Sequence, residues 1–169
     1  MASSDAPVYC VSLEKDNLVF SAAHFITFNG DVCEQLHGHN YRVKCKVFGP
    51  LDENGYVIDF IALRDTLMEI IATLDHRMLL PTKHSMIKVV TEGEEVVVRF
   101  EKKRWVFPVG DCVLLEIANT TAELLASHIA GALIERLREK VSTDIDRIEV
   151  AVDENRGQWA VVTLPWEGN

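Results

Sequence analysis

Three histidines, His24, His37 and His39, have the types and spacing of a metal-binding set. His37 and His39 open the run His37-Gly-His-Asn-Tyr-Arg-Val-Lys-Cys-Lys-Val-Phe48, in which Tyr41, Val43, Cys45 and Val47 alternate with Arg42, Lys44 and Lys46. That alternation predicts a half-buried strand, on which residues two apart project from the same side with Cα atoms about 7 Å apart. Gly38 between them lets another backbone or a ligand come close. Residues 8–28 also look extended, and Leu18, Phe20, Ala22 and His24 fall on one face, so a neighbouring strand offers a third imidazole. Three neutral imidazoles leave one tetrahedral position of a zinc ion open, which is the form of a catalytic zinc site. The alternative is that each histidine is a hydrogen-bonded core residue, and parity and spacing alone leave both readings open.

Other polar residues have unusual placements. Cys33 lies in the loop 29–36, four residues before His37. Beside a metal or a histidine such a thiol can have a lowered pKa and act as nucleophile or base; otherwise it is simply a small side chain. Asp75 and His76 close an amphipathic helix, where the imidazole complements the helix dipole. The same two residues make a general acid–base pair if the carboxylate fixes the imidazole tautomer. Glu154 continues an inward-facing series after Ile148, Val150 and Val152, a costly place for an unpaired carboxylate. Either it passes the sheet edge into water or it meets a ligand that pairs with it. His84 and His128 read as structural.

The elements that must position these groups follow from the pattern. Leu51–Gly55 has turn composition, and Asp59 caps a helix with Phe60, Leu63, Leu67, Ile70, Ile71 and Leu74 in one stripe. Thr120-Thr-Ala-Glu123 reads as a capping box, with Glu123 as its acidic member, opening a second helix. A last strand pair runs through Ile148–Glu154 and Trp159–Leu164. Two long hairpins with helices on one face make an α+β fold, and no repeat or linker divides residues 1–169, so a single domain is expected.

The chain has 169 residues, 48% hydrophobic, and a net charge of −9. That balance argues against a nucleic-acid partner, while leaving room for a small anion held by local cations. No apolar run approaches the ~20 residues of a membrane span. Met1–Pro7 has neither a basic start nor an apolar run, so no export signal is expected. The four dispersed cysteines then read as reduced thiols in a cytoplasmic protein.

In order along the chain, Phe20-Ser-Ala-Ala-His24, Cys33, His37-Gly-His-Asn-Tyr41, Gly55-Tyr-Val-Ile-Asp-Phe60, Leu74-Asp-His76, Thr120-Thr-Ala-Glu123 and Val152-Asp-Glu154 resemble the 6-pyruvoyl- and 6-carboxy-tetrahydropterin synthase family. The resemblance implies zinc on His24, His37 and His39, polarising the side chain of 7,8-dihydroneopterin triphosphate. It implies Cys33 as the base, Asp75 and His76 as proton carriers supplied by a neighbouring subunit, and Glu154 with Thr120 and Thr121 as the pterin-binding residues. Arg42, Lys44, Lys46 and Arg77 are candidates for the triphosphate. The implied fold is the tunnelling fold, a four-stranded antiparallel sheet with two helices on one face, assembled as a homohexamer of two stacked trimers.

Three residues separate Cys33 from His37, a spacing that resembles the 6-carboxy-tetrahydropterin synthases of the queuosine pathway rather than the pyruvoyl-forming enzymes. The carboxy reaction releases acetaldehyde and triphosphate. The stretch from Met78 to Asn119 is longer than the family pattern, and its apolar runs predict an inserted β-hairpin around residues 84–117. An inactive pterin-binding protein of the same fold is the alternative of another class. The joint presence of Cys33, Asp75, His76 and Glu154 weighs against it.

Overall fold

A computed structural model describes residues 7–29 and 32–166. The first six residues, on which the export-signal expectation rests, lie outside that range, as do Gly30 and Asp31 of the Cys33 loop. The strands are β1 (Tyr9–His24), β2 (Thr27–Phe28), β3 (Val32–Cys33), β4 (His37–Gly49), β5 (Arg77–Pro81), β6 (Lys88–Glu92), β7 (Glu95–Phe100), β8 (Lys103–Pro108), β9 (Cys112–Leu115), β10 (Arg147–Asn155) and β11 (Gln158–Pro165). The helices are α1 (Phe60–Ala72) and α2 (Ala122–Arg138).

The main sheet has the order β11-β10-β4-β1-β5-β9. Its first four strands are the antiparallel sheet expected from the alternating patterns. Short β5 and β9 add two parallel strands beyond β1. Leu18, Phe20, Ala22, Tyr41, Val43, Cys45, Val47, Ile148, Val150 and Val152 turn inward and pack with α1 and α2 into one core.

Asp59 caps α1 as expected, its carboxylate accepting from the Ile61 N–H at 2.7 Å. Phe60 departs from the expected stripe: it occupies the first helical position and lies exposed, while Leu63, Leu67, Ile70, Ile71 and Leu74 are buried. The cap of α2 is Thr121, whose hydroxyl accepts from the Leu124 N–H, one residue later than the capping box placed it. The shift has a tertiary cause. Thr120 is pulled towards β1, its hydroxyl donating to the Phe25 carbonyl at 3.1 Å. Glu123 then sits in the first turn of α2, where its charge suits the helix dipole.

The insertion is one strand larger than a hairpin. β6, β7 and β8 form a three-stranded antiparallel sheet, and the Val113 run returns as β9 to pair with β5. One face of this small sheet buries Val96, Val98 and Phe100 against Phe25, Cys33, Met78 and Leu80 in a second apolar cluster. Among the described residues, no helix is long and apolar enough to cross a membrane.

Candidate metal centre

Antiparallel pairing of β1 with β4 sets His24 opposite His37 and Ala22 opposite His39. Period two turns all three imidazoles to the same side, and one nitrogen from each lies within 4.8 Å of the others. Gly38 has a packing reason. A Cβ there would stand 3.0 Å from the Ala22 carbonyl oxygen, so glycine permits the close approach of the strands between the histidines.

Backbone carbonyls fix the rings. His24 Nδ1 donates to the Thr120 carbonyl at 2.9 Å, and His37 Nδ1 to the Gln35 carbonyl at 2.8 Å, which leaves each Nε2 with a lone pair. Such hydrogen bonds set tautomer and orientation in metal-binding histidines. Burial lowers the His24 pKa to about 4; the Thr120 hydrogen bond opposes the shift, and the charges of His37 and His39 reinforce it. His24 is therefore neutral near pH 7, the state that ligates a cation. The Tyr41 hydroxyl lies 3.1 Å from His24 Nε2, and burial, then the carboxylates of Glu154 and Glu34, raises its pKa, so it stays a donor. The set fits zinc: three imidazole nitrogens, two of the rings held by backbone acceptors, on one side of a sheet end.

Glu154 does not pass into open water. Its Oε1 lies 3.3 Å from His24 Nε2 and 3.8 Å from His39 Nε2. It separates two surface depressions of about 450 and 410 Å³, one bordered by His39, Arg42 and Arg156, the other by Thr121, Glu123 and Trp159. Thr121 is thus on the pocket rim, whereas Thr120 is fully buried and acts on His24 through its carbonyl. Of the four suggested cations, Arg42 and Arg77 border depressions shared with His39. Lys44 is 3.9 Å from both Glu14 and the Trp159 ring centre, and Lys46 is bonded to Glu149 at 2.6 Å.

α1 ends at Ala72 and is capped by Thr73, whose hydroxyl donates to the Ile70 carbonyl at 2.7 Å. Asp75 and His76 therefore do not close the helix as expected but follow it, where the chain returns to the sheet. Asp75 Oδ1 accepts from the Ser21 N–H at 2.7 Å, and His76 Nδ1 lies 2.8 Å from Asp75 Oδ2. The Ser21 amide, then the His76 hydrogen bond, holds the Asp75 carboxyl below the usual carboxylate range. His76 has a left-handed backbone (φ 55°), costly for a non-glycine residue, and its N–H donates to the Ser21 carbonyl at 2.6 Å. Its side chain is 81% exposed and borders, with His39, a depression of about 680 Å³.

The surroundings of Cys33 differ from the expected ones. Its side chain turns into the second apolar cluster and is only 9% exposed. Burial raises the thiol pKa; Lys103 opposes the shift and Glu34 adds to it. Next to it, Glu34 keeps its carboxylate partly in water, with Oε2 3.9 Å from His37 Nε2. Glu34 escaped the sequence reading; an acidic residue three positions before His37 was the available signal.

A profile of the family described as "6-pyruvoyl tetrahydropterin synthase" matches residues 14–165. A Methanocaldococcus jannaschii protein named "Putative 6-carboxy-5,6,7,8-tetrahydropterin synthase" is 35% identical over 144 residues, 85% of this chain and 88% of that protein. The solved 6-pyruvoyl tetrahydropterin synthase of Plasmodium falciparum superposes with a TM-score of 0.84 at 34% identity, covering 94% of this chain and 98% of that one. A Plasmodium vivax 6-pyruvoyltetrahydropterin synthase, solved with alanine replacing a catalytic glutamate, gives a TM-score of 0.85 at 29% identity, covering 95% and 99%. With its sheet, histidine set and nearly full-length match in agreement, the chain belongs to the 6-pyruvoyl tetrahydropterin synthase family.

Proposed function

We propose that this protein is a zinc-dependent lyase that converts 7,8-dihydroneopterin triphosphate to 6-carboxy-5,6,7,8-tetrahydropterin, releasing acetaldehyde and triphosphate. The convergence of His24, His37 and His39 on one point carries the reading. The 6-carboxy product is supported by the Methanocaldococcus jannaschii relative and by the Cys33–His37 spacing. The solved Plasmodium proteins favour a second reading, in which the same site forms the 6-pyruvoyl product.

Zinc on the three imidazoles supplies Lewis acidity to the hydroxyl oxygens of the substrate side chain. Glu154, at the meeting of two depressions, accepts hydrogen bonds from the N–H groups of the pterin edge, with Thr121 at the rim. Thr120 serves the site through His24. Arg156 and Arg77, which border depressions shared with His39, are the candidates to meet the triphosphate, whereas the Arg42 guanidinium is already held by Asp153. Two groups compete for the role of base, Cys33 and Glu34. The thiol must first overcome a raised pKa, whereas the Glu34 carboxylate already stands beside His37. A catalytic glutamate in the Plasmodium vivax relative supports giving Glu34 a share of that role. The exposed Asp75–His76 pair carries protons at a neighbouring subunit's site within a cytoplasmic homohexamer.

Incubating the zinc-loaded protein with 7,8-dihydroneopterin triphosphate tests the proposal. Acetaldehyde and 6-carboxy-tetrahydropterin are expected. A 6-pyruvoyl product transfers the assignment to the second reading. No turnover defeats both, leaving a pterin-binding protein.

A further inference from the structure

The outward face of the inserted sheet carries three ordered rows. Residues directly opposite on paired strands share a face, so the register puts Lys88, Arg99 and Arg104 in one row. The next row is Val90, Val97 and Val106, and the third is Glu92, Glu95 and Pro108. A cationic row, a valine row and an acidic row thus cross the strands in order, each about 7 Å from the next.

Two features mark this face as unfinished in the single chain. Val90 and Val106 are 51% and 36% exposed on either side of Val97, which is itself buried, and none of the three belongs to either apolar cluster. Like charges directly opposite one another also destabilise a sheet. Here Arg99 faces Arg104, and Glu92 faces Glu95. Among the described residues, none of these four forms an ion pair. Lys88 donates to the Ser85 carbonyl at 2.8 Å and, among the described residues, forms no ion pair.

We propose that this face docks on the same face of a second copy of this chain. Rotation by 180° about an in-plane axis along the valine row leaves each valine facing its own counterpart. The same rotation exchanges the two ends of the strands. Lys88 and Arg99 of one copy then lie over Glu92 and Glu95 of the other, and the reverse holds on the far side of the axis. This is an isologous contact, with an apolar centre and complementary charge on both flanks. A rotation about the strand direction would instead set cation on cation and acid on acid. The face is small against the ~800 Å² per partner of a standard interface, so a dimer resting on it alone is weak and concentration-dependent. The contact is independent of the pterin reaction and of the metal site.

Disulfide trapping in the full chain, with exposed Cys10 replaced by serine, tests the geometry. Val90→Cys places a thiol opposite its own counterpart across the axis. Thr91→Cys, one residue along and on the other face, is the control. Under mild oxidation, Val90→Cys is expected to give a dimer band on a non-reducing gel and Thr91→Cys none. Adding Arg99→Glu is expected to abolish the band by opposing Glu95, and Glu95→Arg in the same chain to restore it. Equal trapping of both cysteines, or no trapping of Val90→Cys, overturns the proposal, as does a band indifferent to the charge exchange. Zinc content and circular dichroism, expected unchanged in every variant, keep a folding failure from being read as a lost contact.

Discussion

Gly38→Ala tests whether the spacing of β1 and β4 sets the metal centre, because it removes no ligand and no charge. The new methyl carbon would lie 3.0 Å from the Ala22 oxygen and 3.7 Å from the Ala23 Cα. Both contacts are backbone, so no side chain can swing away, and the strands must part by a few tenths of an ångström. Gly38 pairs with Ala23, between His24 opposite His37 and Ala22 opposite His39, so ligands on both strands feel the displacement. Zinc–nitrogen distances are about 2.0–2.1 Å with a tolerance near 0.2 Å. A shift of this size is comparable to losing an outer hydrogen bond to a ligand, which weakens metal binding about 10–100-fold. Overpacking costs about 1–3 kcal/mol, partly offset by the ~0.4–1 kcal/mol gained when alanine restricts the unfolded chain. A net loss of about 1–2 kcal/mol lowers Tm by roughly 2–8 °C in a chain this long. Chelator competition measures zinc affinity, and thermal melting of the metal-free protein isolates the stability cost. Gly131→Ala on the exposed side of α2, where a Cβ meets nothing within 4 Å, is the control and is expected to leave zinc affinity unchanged. A folded Gly38→Ala protein with native zinc affinity would refute the argument that strand approach positions the ligands.

Further outcomes separate the roles of neighbouring groups. Cys33→Ala and Glu34→Gln are both expected to retain stoichiometric zinc, and single-turnover rates identify the base as the residue whose change costs about 100-fold or more. If neither changes the rate, the base lies elsewhere. His76→Ala is expected to keep zinc and melting temperature but lose turnover, since the side chain is largely exposed; undiminished turnover removes His76 from the reaction. Buried Asp153 receives the Arg42 Nε–H at 2.9 Å and the amides of Gly157 and Gln158. Burial opposes its ionisation, but the Arg42 bond and the two amides outweigh it and hold the carboxyl below its ordinary value. Its stabilisation is therefore complete above the unfolded pKa of about 3.9 and disappears as pH falls through the lower folded value. Asp153→Asn should melt lower near pH 7 and converge with the parent protein in acid. A gap in melting temperature that persists undiminished in acid contradicts this linkage.

Period-two patterns made the histidine set legible in the sequence, because one register decides which side every residue of β1 and β4 faces. Asp59 was legible for a local reason: the cap and the amide that it holds are two residues apart. The cap of α2 was not, because a hydrogen bond from Thr120 to distant Phe25 decides it. Glu34 looked like any solvated loop acid until β3 and β4 brought it beside His37. Parallel β5 and β9 are short and paired at long range, so no local alternation announces them. The apolar runs of the insertion were all visible, but their pairing into three strands with a closing fourth depends on contacts that no single run specifies.

The insertion and the metal centre are mechanically joined at both ends of the ligand set. Phe25, directly after His24, stacks on Trp105 of β8 with ring centres 4.6 Å apart. The Phe25 carbonyl holds the Thr120 hydroxyl, and the Thr120 carbonyl in turn holds His24 Nδ1. On the other side, Lys103 of β8 donates to the Cys33 carbonyl at 2.8 Å, four residues before His37. The same strand therefore grips the segment leaving one ligand and the segment entering the next. Its sheet also supplies Val96, Val98 and Phe100 to the cluster that buries the Cys33 thiol. Because burial is the largest cause of the raised thiol pKa, the insertion sets how readily Cys33 gives up its proton as well as how His24 is oriented. A segment that looks like an appendage to the main sheet is thus part of the chemistry's support. Substitutions on its inner face are expected to reach the metal centre through Phe25 and Cys33, whereas the outward face is free to serve a second chain.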